Sequence, residues 1–495
     1  MNKRFWVASG FCLAFVGGPA RAEPLLAKMR GGELTAFAQA MPKGGELHNH
    51  ISGAIFPETL LAWAVEDGLC VNLKTLALTT ACQQGEEVVP AAKVMADEVQ
   101  RSALIDSLSV RHPGFRDRSG HDQFFSAFAR FGAVLPKRDG DSLALVMDGL
   151  ARQNTFYLEA MVTPQGAASR IKGAIVGWKG GDLIAQKAAN SGAGLEALVP
   201  AAMAETDAME ARARTVLKCG TPQAAPGCQV TVRYLVQTNR AAPPEQTFAQ
   251  LQLGVALIAA DPRWVGLQLV APEDDPNALA NYSLHMRMVD VLTDHGRRAK
   301  SALHAGELTL KFASPEHLRF HIAEAVRVAG VRRVGHGVDL PMETGAEALA
   351  AEMANKGILV EVNLTSNAAI LEVSGRDHPY AWLRQRGVPV SLSTDDAGIL
   401  KIDLSHEYAR AANEGATYAD LKASARNAIA FSFLAGEGLW SDPGAYRRPA
   451  KACAGQVGAV APKPGPCADL VANSDKAREQ WRHEALLARF EATQR

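Results

Sequence analysis

The stretch GGELHNHISG, residues 44–53, determines the predicted fold because it begins a pattern that recurs along the chain. Its two histidines, His48 and His50, are two positions apart, and this spacing places both side chains on the same face of a β-strand. The geometry suits metal chelation, but an isolated pair of this kind more often consists of two ordinary strand histidines. The function of the pair therefore depends on the rest of the chain.

Eight apolar, strand-like runs alternate with segments long enough to form helices. The runs are GELHNHIS (45–52), TFYLEAMVT (155–163), QVTVRYLVQ (229–237), WVGLQLVAP (264–272), KSALHAGEL (300–308), RVGHGVDL (333–340), ILVEVNLTS (358–366) and PVSLSTDDA (389–397). This alternation predicts a parallel sheet, and eight strand–helix units predict a closed α/β fold, the (β/α)8 TIM barrel.

The length and composition are compatible with such a barrel. The chain has 495 residues, of which 47% are hydrophobic and 21% charged, which is enough apolar material for a large core. We expect the barrel at residues 23–435, with helical insertions at about 66–122 and 166–228, and a C-terminal helical extension at 436–495. Lys plus Arg and Asp plus Glu both number 52, so bulk charge indicates neither a nucleic-acid partner nor a membrane-surface partner.

The N-terminus has the pattern of a cleavable signal peptide. Lys3 and Arg4 precede the apolar run at 5–18, which is short for a membrane span, and Ala20-Arg21-Ala22 offers a cleavage site. We expect residues 1–22 to be removed by cleavage after Ala22, which leaves a periplasmic or secreted chain without a membrane partner. A retained membrane anchor is the alternative.

Export changes the interpretation of the cysteines. Once Cys12 is removed with the signal peptide, six cysteines remain, an even number that favours disulfides in an oxidising compartment. Six cysteines allow fifteen pairings. We predict the sequence-local ones, Cys70–Cys82, Cys219–Cys228 and Cys453–Cys467.

Reactive side chains lie at the ends of four of the predicted strands. These ends are His48 and His50, His304-Ala305-Gly306-Glu307, Gly335-His336-Gly337, and Thr394-Asp395-Asp396. The C-terminal ends of all strands in a parallel barrel meet at one mouth, where barrel active sites lie. We therefore expect these residues to form a single site.

Three imidazoles and a carboxylate suit a zinc ion that keeps a position open for water. We predict that His48, His50, His304 and Asp395 bind one Zn²⁺ per chain, which would lower the pKa of a bound water. Glu307 and His336 are placed to manage protons beside it.

Simpler interpretations exist for some of these residues when each is considered alone. Asp395 or Asp396 could be the N-cap of a helix that follows the last strand. His336 alone would more often be a hydrogen-bonded core histidine.

The order of these motifs resembles the metal-dependent adenosine deaminases of the amidohydrolase superfamily. The matching segments are MPKGGELHNHISGAI, SALHAGEL, RVGHGV, VEVNLTSN and VSLSTDDAG, and the resemblance covers most of residues 41–435. LVAPED (269–274) is similar to the secreted branch, the adenosine deaminase-related growth factors, whereas the first strand is more similar to the ordinary cytosolic or bacterial type.

The resemblance implies a function and a role for each site residue. The chain would be an exported zinc enzyme that hydrolyses the 6-amino group of adenosine or deoxyadenosine, and its partner would be a small purine nucleoside. Glu307 would protonate the purine N1 as water attacks C6. His336 would orient or deprotonate that water and stabilise the developing charge, and Asp396 would hold N7.

Two positions depart from the family pattern. Ser52 stands where the family usually has an acidic residue that contacts the ribose, and Ala271 stands where a glycine normally offers its backbone amide to the purine N3. Serine can bond a hydroxyl, but less strongly than a carboxylate. These departures affect the recognition of the sugar more than the chemistry.

Three alternative functions remain open at this stage. The chemistry could act on another 6-aminopurine, such as adenine or a modified adenosine. The barrel could belong to a secreted binding protein without turnover, although a binder has no need of the acid Glu307. Other amidohydrolase reactions commonly use two metals and a bridging lysine, and no lysine ends the predicted fourth strand.

Overall fold

The structure, a computed structural model, describes residues 26–83, 87–110 and 118–494. The predicted signal peptide at 1–22 lies outside the described residues. Among the residues that are described, no helix combines the length and the apolar character needed to span a bilayer.

The described part of the chain contains eleven strands. They are β1 (Gly44–His50), β2 (Cys70–Asn72), β3 (Ala77–Thr79), β4 (Val88–Pro90), β5 (Thr155–Val162), β6 (Thr231–Asn239), β7 (Trp264–Val270), β8 (Lys300–Ala305), β9 (Arg333–His336), β10 (Leu359–Val362) and β11 (Val390–Leu392).

Eight of these strands form the barrel, and the predicted fold is confirmed. They pair in parallel in the order β1-β5-β6-β7-β8-β9-β10-β11, which is also their order in the chain. A parallel bridge between Asn49 and Asp395 joins the end of β1 to the residues that follow β11. The backbone of Asp395 makes both hydrogen bonds of this bridge, from its nitrogen to His48 O (3.0 Å) and from His50 N to its oxygen (3.2 Å).

Helices cover the barrel and fill its connections. Those described are α1 (Gly31–Ala40), α2 (Pro57–Glu66), α3 (Ala91–Ala96), α4 (Glu98–Ser107), α5 (Gly120–Phe131), α6 (Asp139–Arg152), α7 (Gly166–Val176), α8 (Leu183–Gly192), α9 (Val199–Val216), α10 (Pro244–Ala260), α11 (Pro276–Thr293), α12 (His321–Arg327), α13 (Ala346–Lys356), α14 (Leu364–Ile370), α15 (Tyr380–Gln385), α16 (Ala397–Leu400), α17 (Leu404–Asn413), α18 (Tyr418–Ala430), α19 (Pro466–Asn473) and α20 (Asp475–Thr493).

The segments outside the barrel pattern have structure of their own. Strands β2, β3 and β4, between β1 and β5, form a small antiparallel sheet in the order β3-β2-β4. Helix α20 belongs to the predicted C-terminal helical extension, and it packs against α18 and β1. The three predicted disulfides are confirmed: Cys70–Cys82, Cys219–Cys228 and Cys453–Cys467.

The interior of the barrel carries paired charges as well as apolar side chains. Arg333 on β9 donates to Glu361 on β10 (Nε to Oε1, 2.5 Å) and to Glu159 on β5, and all three side chains are inaccessible to solvent. The ring of Phe433 lies over the guanidinium, 3.9 Å from ring centroid to Cζ. Buried charges persist in proteins when they are paired and hydrogen-bonded, as these are.

Candidate active site

Four side chains converge at the C-terminal mouth of the barrel, as the strand-end pattern predicts. The Nε2 atom of His304 lies 3.1 Å from Nε2 of His48 and 3.3 Å from Nε2 of His50. Oδ1 of Asp395 lies 3.4 Å from Nε2 of His48 and 3.2 Å from Nε2 of His50. All four residues are buried.

These separations fit a metal ion at the centre of the group. Zinc takes imidazole nitrogen and carboxylate oxygen at about 2.0–2.2 Å in tetrahedral geometry, which puts neighbouring ligand atoms about 3.3 Å apart. The observed distances of 3.1–3.4 Å match this value. The donor set, three imidazoles and one carboxylate, also suits zinc.

Hydrogen bonds on the far side of each ligand orient it toward the cluster. Nδ1 of His48 lies 2.8 Å from Oε2 of Glu361, and Nδ1 of His50 lies 2.7 Å from Oε1 of Gln237. Because both partners are acceptors, each Nδ1 carries the hydrogen and each Nε2 lone pair faces the cluster. Ser366 donates to Oδ2 of Asp395 (2.6 Å), which leaves Oδ1 free for an ion.

Glu361 connects the ligands to the charged interior of the barrel. Burial alone would raise the pKa of its carboxyl group, but Arg333 and the hydrogen bond with His48 outweigh burial and lower that pKa below its ordinary value. Glu361 is therefore a carboxylate that can accept the His48 hydrogen bond. Sequence reasoning missed both Glu361 and Arg333.

His336 lies beside the cluster with its ring orientation determined by a chain of hydrogen bonds. Tyr380 N donates to Nδ1 of His378 (3.1 Å), and Nε2 of His378 donates to Oδ1 of Asn367 (2.9 Å). Asn367 Nδ2 then donates to Nδ1 of His336 (2.8 Å), so the hydrogen of a neutral His336 is on Nε2. Burial lowers the pKa of His336 to about 3, which favours this neutral form.

Glu307 is near His336 and lines the cavity. Its Oε1 lies 3.6 Å from Nε2 of His336. Burial, and then repulsion from Asp395, raise the pKa of Glu307 well above its ordinary value, which favours the protonated form of this side chain. A neutral carboxylic acid in a cavity is suited to act as a general acid.

Glu273 and Arg240 hold the Glu307 segment in place, and sequence reasoning did not identify either residue. Glu273 accepts hydrogen bonds from the backbone nitrogens of Gly306 (3.2 Å) and Glu307 (2.9 Å). Arg240 donates to the carbonyl of His304 (3.1 Å), and its Nη2 lies 3.9 Å from Oε2 of Glu307. Both are charged residues that follow a barrel strand, so including every charged residue at a strand end in the prediction would have found them.

Asp396 also lines the cavity, next to the cluster. Its Oδ1 is buried, and no hydrogen-bond partner for it occurs among the described residues. Burial and the adjacent Asp395 raise the pKa of Asp396 well above its ordinary value. A Cβ added to Gly53 would lie 1.6 Å from this oxygen, so only glycine permits the close approach of Asp396 to the β1 end.

The two positions that depart from the family pattern both line the cavity. Ser52 follows β1, and Ala271 follows β7. Ala271 has φ of 85°, in a region that glycine tolerates and alanine adopts at a cost of roughly 1–3 kcal/mol. A glycine at this position would adopt the same conformation without that cost.

The cavity has a polar end and an aromatic wall. Its volume is about 510 Å³, within the range of small-molecule sites. Helix α5 starts after Ser119, whose side chain accepts a hydrogen bond from Asp122 N, and it presents Phe124, Phe125 and Phe128 to the cavity. Only residues 120–122 of this helix fall within the predicted insertion at about 66–122, and no sequence pattern indicated that the helix would cover the barrel mouth.

Comparison with known proteins identifies a family for this chain. A family model described as adenosine deaminase matches residues 115–438, more than half of the chain. Adenosine deaminase from Serratia proteamaculans is 35% identical over 148 residues, a match that covers 28% of this chain and 41% of the Serratia protein. The chain therefore matches less than half the length of this curated relative.

Solved structures share the fold at lower identity. The N6-mAMP deaminase of Arabidopsis has a TM-score of 0.53 and 21% identity, with 81% of this chain and 96% of that chain covered. An amidohydrolase from Burkholderia ambifaria, solved with bound Zn, has a TM-score of 0.53 and 18% identity, with 82% of this chain and 90% of that chain covered.

Proposed function

Because the chain belongs to the adenosine deaminase family, we propose that it is an exported, zinc-dependent adenosine deaminase. It removes the 6-amino group of adenosine or deoxyadenosine by hydrolysis and gives the corresponding inosine and ammonia. The observation that carries this proposal is the convergence of His48, His50, His304 and Asp395 beside the buried acid Glu307. All of these residues except His48 line one cavity.

The chain's own residues account for the proton transfers of this reaction. Bound zinc would supply the Lewis acidity that makes water nucleophilic near neutral pH. Glu307 gives its proton to N1 of the purine, which makes C6 more electrophilic. His336 donates the hydrogen on Nε2 to the attacking oxygen, and Asp396 holds N7. As the oxygen of water bonds to C6, one proton of the water restores the Glu307 carboxyl group and the other goes to the amino group. The C6–N bond then breaks, and ammonia leaves.

The protonation and hydrogen bonding of His336 favour one of its two predicted roles, orientation of the water over deprotonation of the water. A neutral ring that carries its hydrogen on Nε2, with Nδ1 occupied by Asn367, can orient water and stabilise negative charge on oxygen. It cannot accept a proton at Nε2. We therefore assign His336 to orientation and charge stabilisation and not to deprotonation.

A second candidate keeps the chemistry and changes the substrate to another 6-aminopurine, such as adenine or a modified adenosine. Ser52 and Ala271, which line the cavity at the positions expected to contact the sugar and N3, favour this candidate. The Arabidopsis protein with the same fold is an N6-mAMP deaminase, which supports a modified substrate as the alternative. A non-catalytic secreted binder is less compatible with Glu307.

A purine panel tests the proposal. We expect zinc-loaded protein to convert adenosine to inosine with release of one ammonia, and the conversion to stop when a chelator removes the metal and resume when zinc is restored. Specificity constants for adenosine, deoxyadenosine, adenine and N6-methyladenosine rank the candidates. Zinc-loaded protein that changes none of these compounds would contradict the proposal.

Export is part of the proposal and has separate support. The support consists of the basic start, the apolar run and the Ala20-Arg21-Ala22 site in the sequence, together with three disulfides in the described residues. N-terminal sequencing of the chain from the periplasm or medium is expected to begin at Glu23. A cytoplasmic chain that retains residues 1–22 would contradict export.

A further inference from the structure

Arg170 presents an unpaired positive charge to the cavity. It lies on α7, it is half-buried, and it lines the same cavity as His304 and Glu307. Among the described residues, its guanidinium has no hydrogen bond, no ion pair within 4 Å and no aromatic ring beneath it. By contrast, the two fully buried arginines of the barrel, Arg240 and Arg333, bond to carbonyl and carboxylate oxygens.

A guanidinium in this position suits an anionic ligand. Its five N–H groups form a planar fork that matches the oxygens of phosphate and carboxylate. The carboxylates that line the cavity, Glu307, Asp395 and Asp396, are not within ion-pair distance of Arg170. A neutral nucleoside offers no partner for this charge, whereas a phosphate group does.

Other residues that line this cavity offer further hydrogen-bond donors. Gln237 bonds to His50 through Oε1 (2.7 Å) and to the Thr163 hydroxyl through Nε2 (3.2 Å), so the Thr163 hydroxyl can still donate. Asn239 accepts from Ala241 N (2.8 Å) with its side-chain oxygen, which leaves its amide nitrogen available. Neutral donors therefore line the same cavity as Arg170.

Ser52 points to the same class of ligand. Ser52 lines the same cavity, and its hydroxyl can donate a hydrogen bond to a phosphate oxygen, which a carboxylate at this place would repel. The cavity thus combines an unpaired guanidinium, several neutral donors and an uncharged residue at the position expected to contact the ribose.

We propose that the cavity takes a 6-aminopurine nucleoside monophosphate, with Arg170 binding the phosphate while the purine faces Glu307. This inference rests on the proposed function and names its substrate class. The phosphate is not altered: water replaces the 6-amino group, so adenosine monophosphate gives inosine monophosphate and ammonia.

The test compares phosphorylated and unphosphorylated substrate in the zinc-loaded full chain. We expect kcat/KM for adenosine monophosphate to exceed that for adenosine, and Arg170→Gln to lower the monophosphate value by about 10- to 100-fold, the scale of a charge-assisted hydrogen bond. The adenosine value should fall by a much smaller factor. Arg214→Gln serves as the matched control, because Arg214 on α9 is exposed and has no ion pair with any residue that the structure describes.

Binding measurements separate this inference from the proposed function. Equilibrium dialysis with adenosine monophosphate should show Arg170-dependent binding that inorganic phosphate weakens. Turnover of adenosine with no preference for the monophosphate, or equal losses for both substrates in Arg170→Gln, overturns the inference and leaves the proposed function standing. Arg170-dependent binding without turnover of either substrate supports the phosphate site and overturns the proposed function.

Discussion

Replacing Glu307 by glutamine is expected to lower kcat by about 10²–10⁴-fold, the contribution typical of proton transfer by a positioned side chain. Glutamine has nearly the same shape, but its amide cannot deliver a proton to the purine. Glu273 bonds to the backbone of residue 307 and not to its side chain, so the segment should keep its position. Because Glu307 is not among the four converging ligand residues, the metal content should remain at one ion per chain.

Two measurements on purified protein check this expectation: the initial rate with adenosine and the metal content by elemental analysis. Both are made on the wild type, on Glu307→Gln and on the control Glu316→Gln. Glu316 is exposed, so its replacement controls for the loss of a carboxylate at a site away from the cavity. A Glu307→Gln protein that retains more than about one tenth of the wild-type kcat would remove Glu307 from the role of general acid.

Replacing Asp395 by alanine is expected to lower metal affinity by more than about 100-fold, since changes to residues that only support a ligand already cost 10- to 100-fold. The substitution removes the carboxylate oxygen that lies 3.2–3.4 Å from the two β1 histidines. Deamination should disappear with the metal, and added zinc should restore the chelated wild-type protein but not the variant.

Asp395→Asn separates loss of charge from loss of fold. An amide preserves the side-chain volume and leaves an oxygen that can accept the Ser366 hydrogen bond, but it binds a metal less strongly than a carboxylate does. Circular dichroism of both variants, and of the exposed-site control Asp377→Ala, reports folding. If folded Asp395 variants keep a full metal content, the predicted ligand set is wrong.

The barrel and the core of the site were predictable because both follow from strand position. Each of the eight barrel strands overlaps one of the predicted apolar runs, and His48, His50, His304 and Asp395 lie at strand ends, which a parallel barrel must bring to one mouth. Their positions at strand ends were enough to group these four residues. The disulfides were predictable because each pair is close in sequence.

Residues that act through long-range packing were not predictable in the same way. Glu361 is in the middle of an apolar strand, and only the structure shows its contact with His48, 313 positions away. The aromatic wall on α5 comes from a segment that lies almost entirely beyond the predicted insertion, and its position over the mouth has no sequence signal. Strands β2–β4 have three residues each, too few for an alternating pattern to be recognised.

The bridge between Asn49 and Asp395 couples the closure of the ring to the occupancy of the site. Asp395 joins the last strand to the first through its backbone and supplies a carboxylate oxygen to the cluster through its side chain. A ligand that binds only the folded state stabilises it by about 4 kcal/mol at a thousandfold excess over Kd. This stabilisation acts where the first and last strands of the barrel meet, so an ion bound there would hold the barrel closed. In the metal-free chain, local opening should therefore begin between β1 and β11.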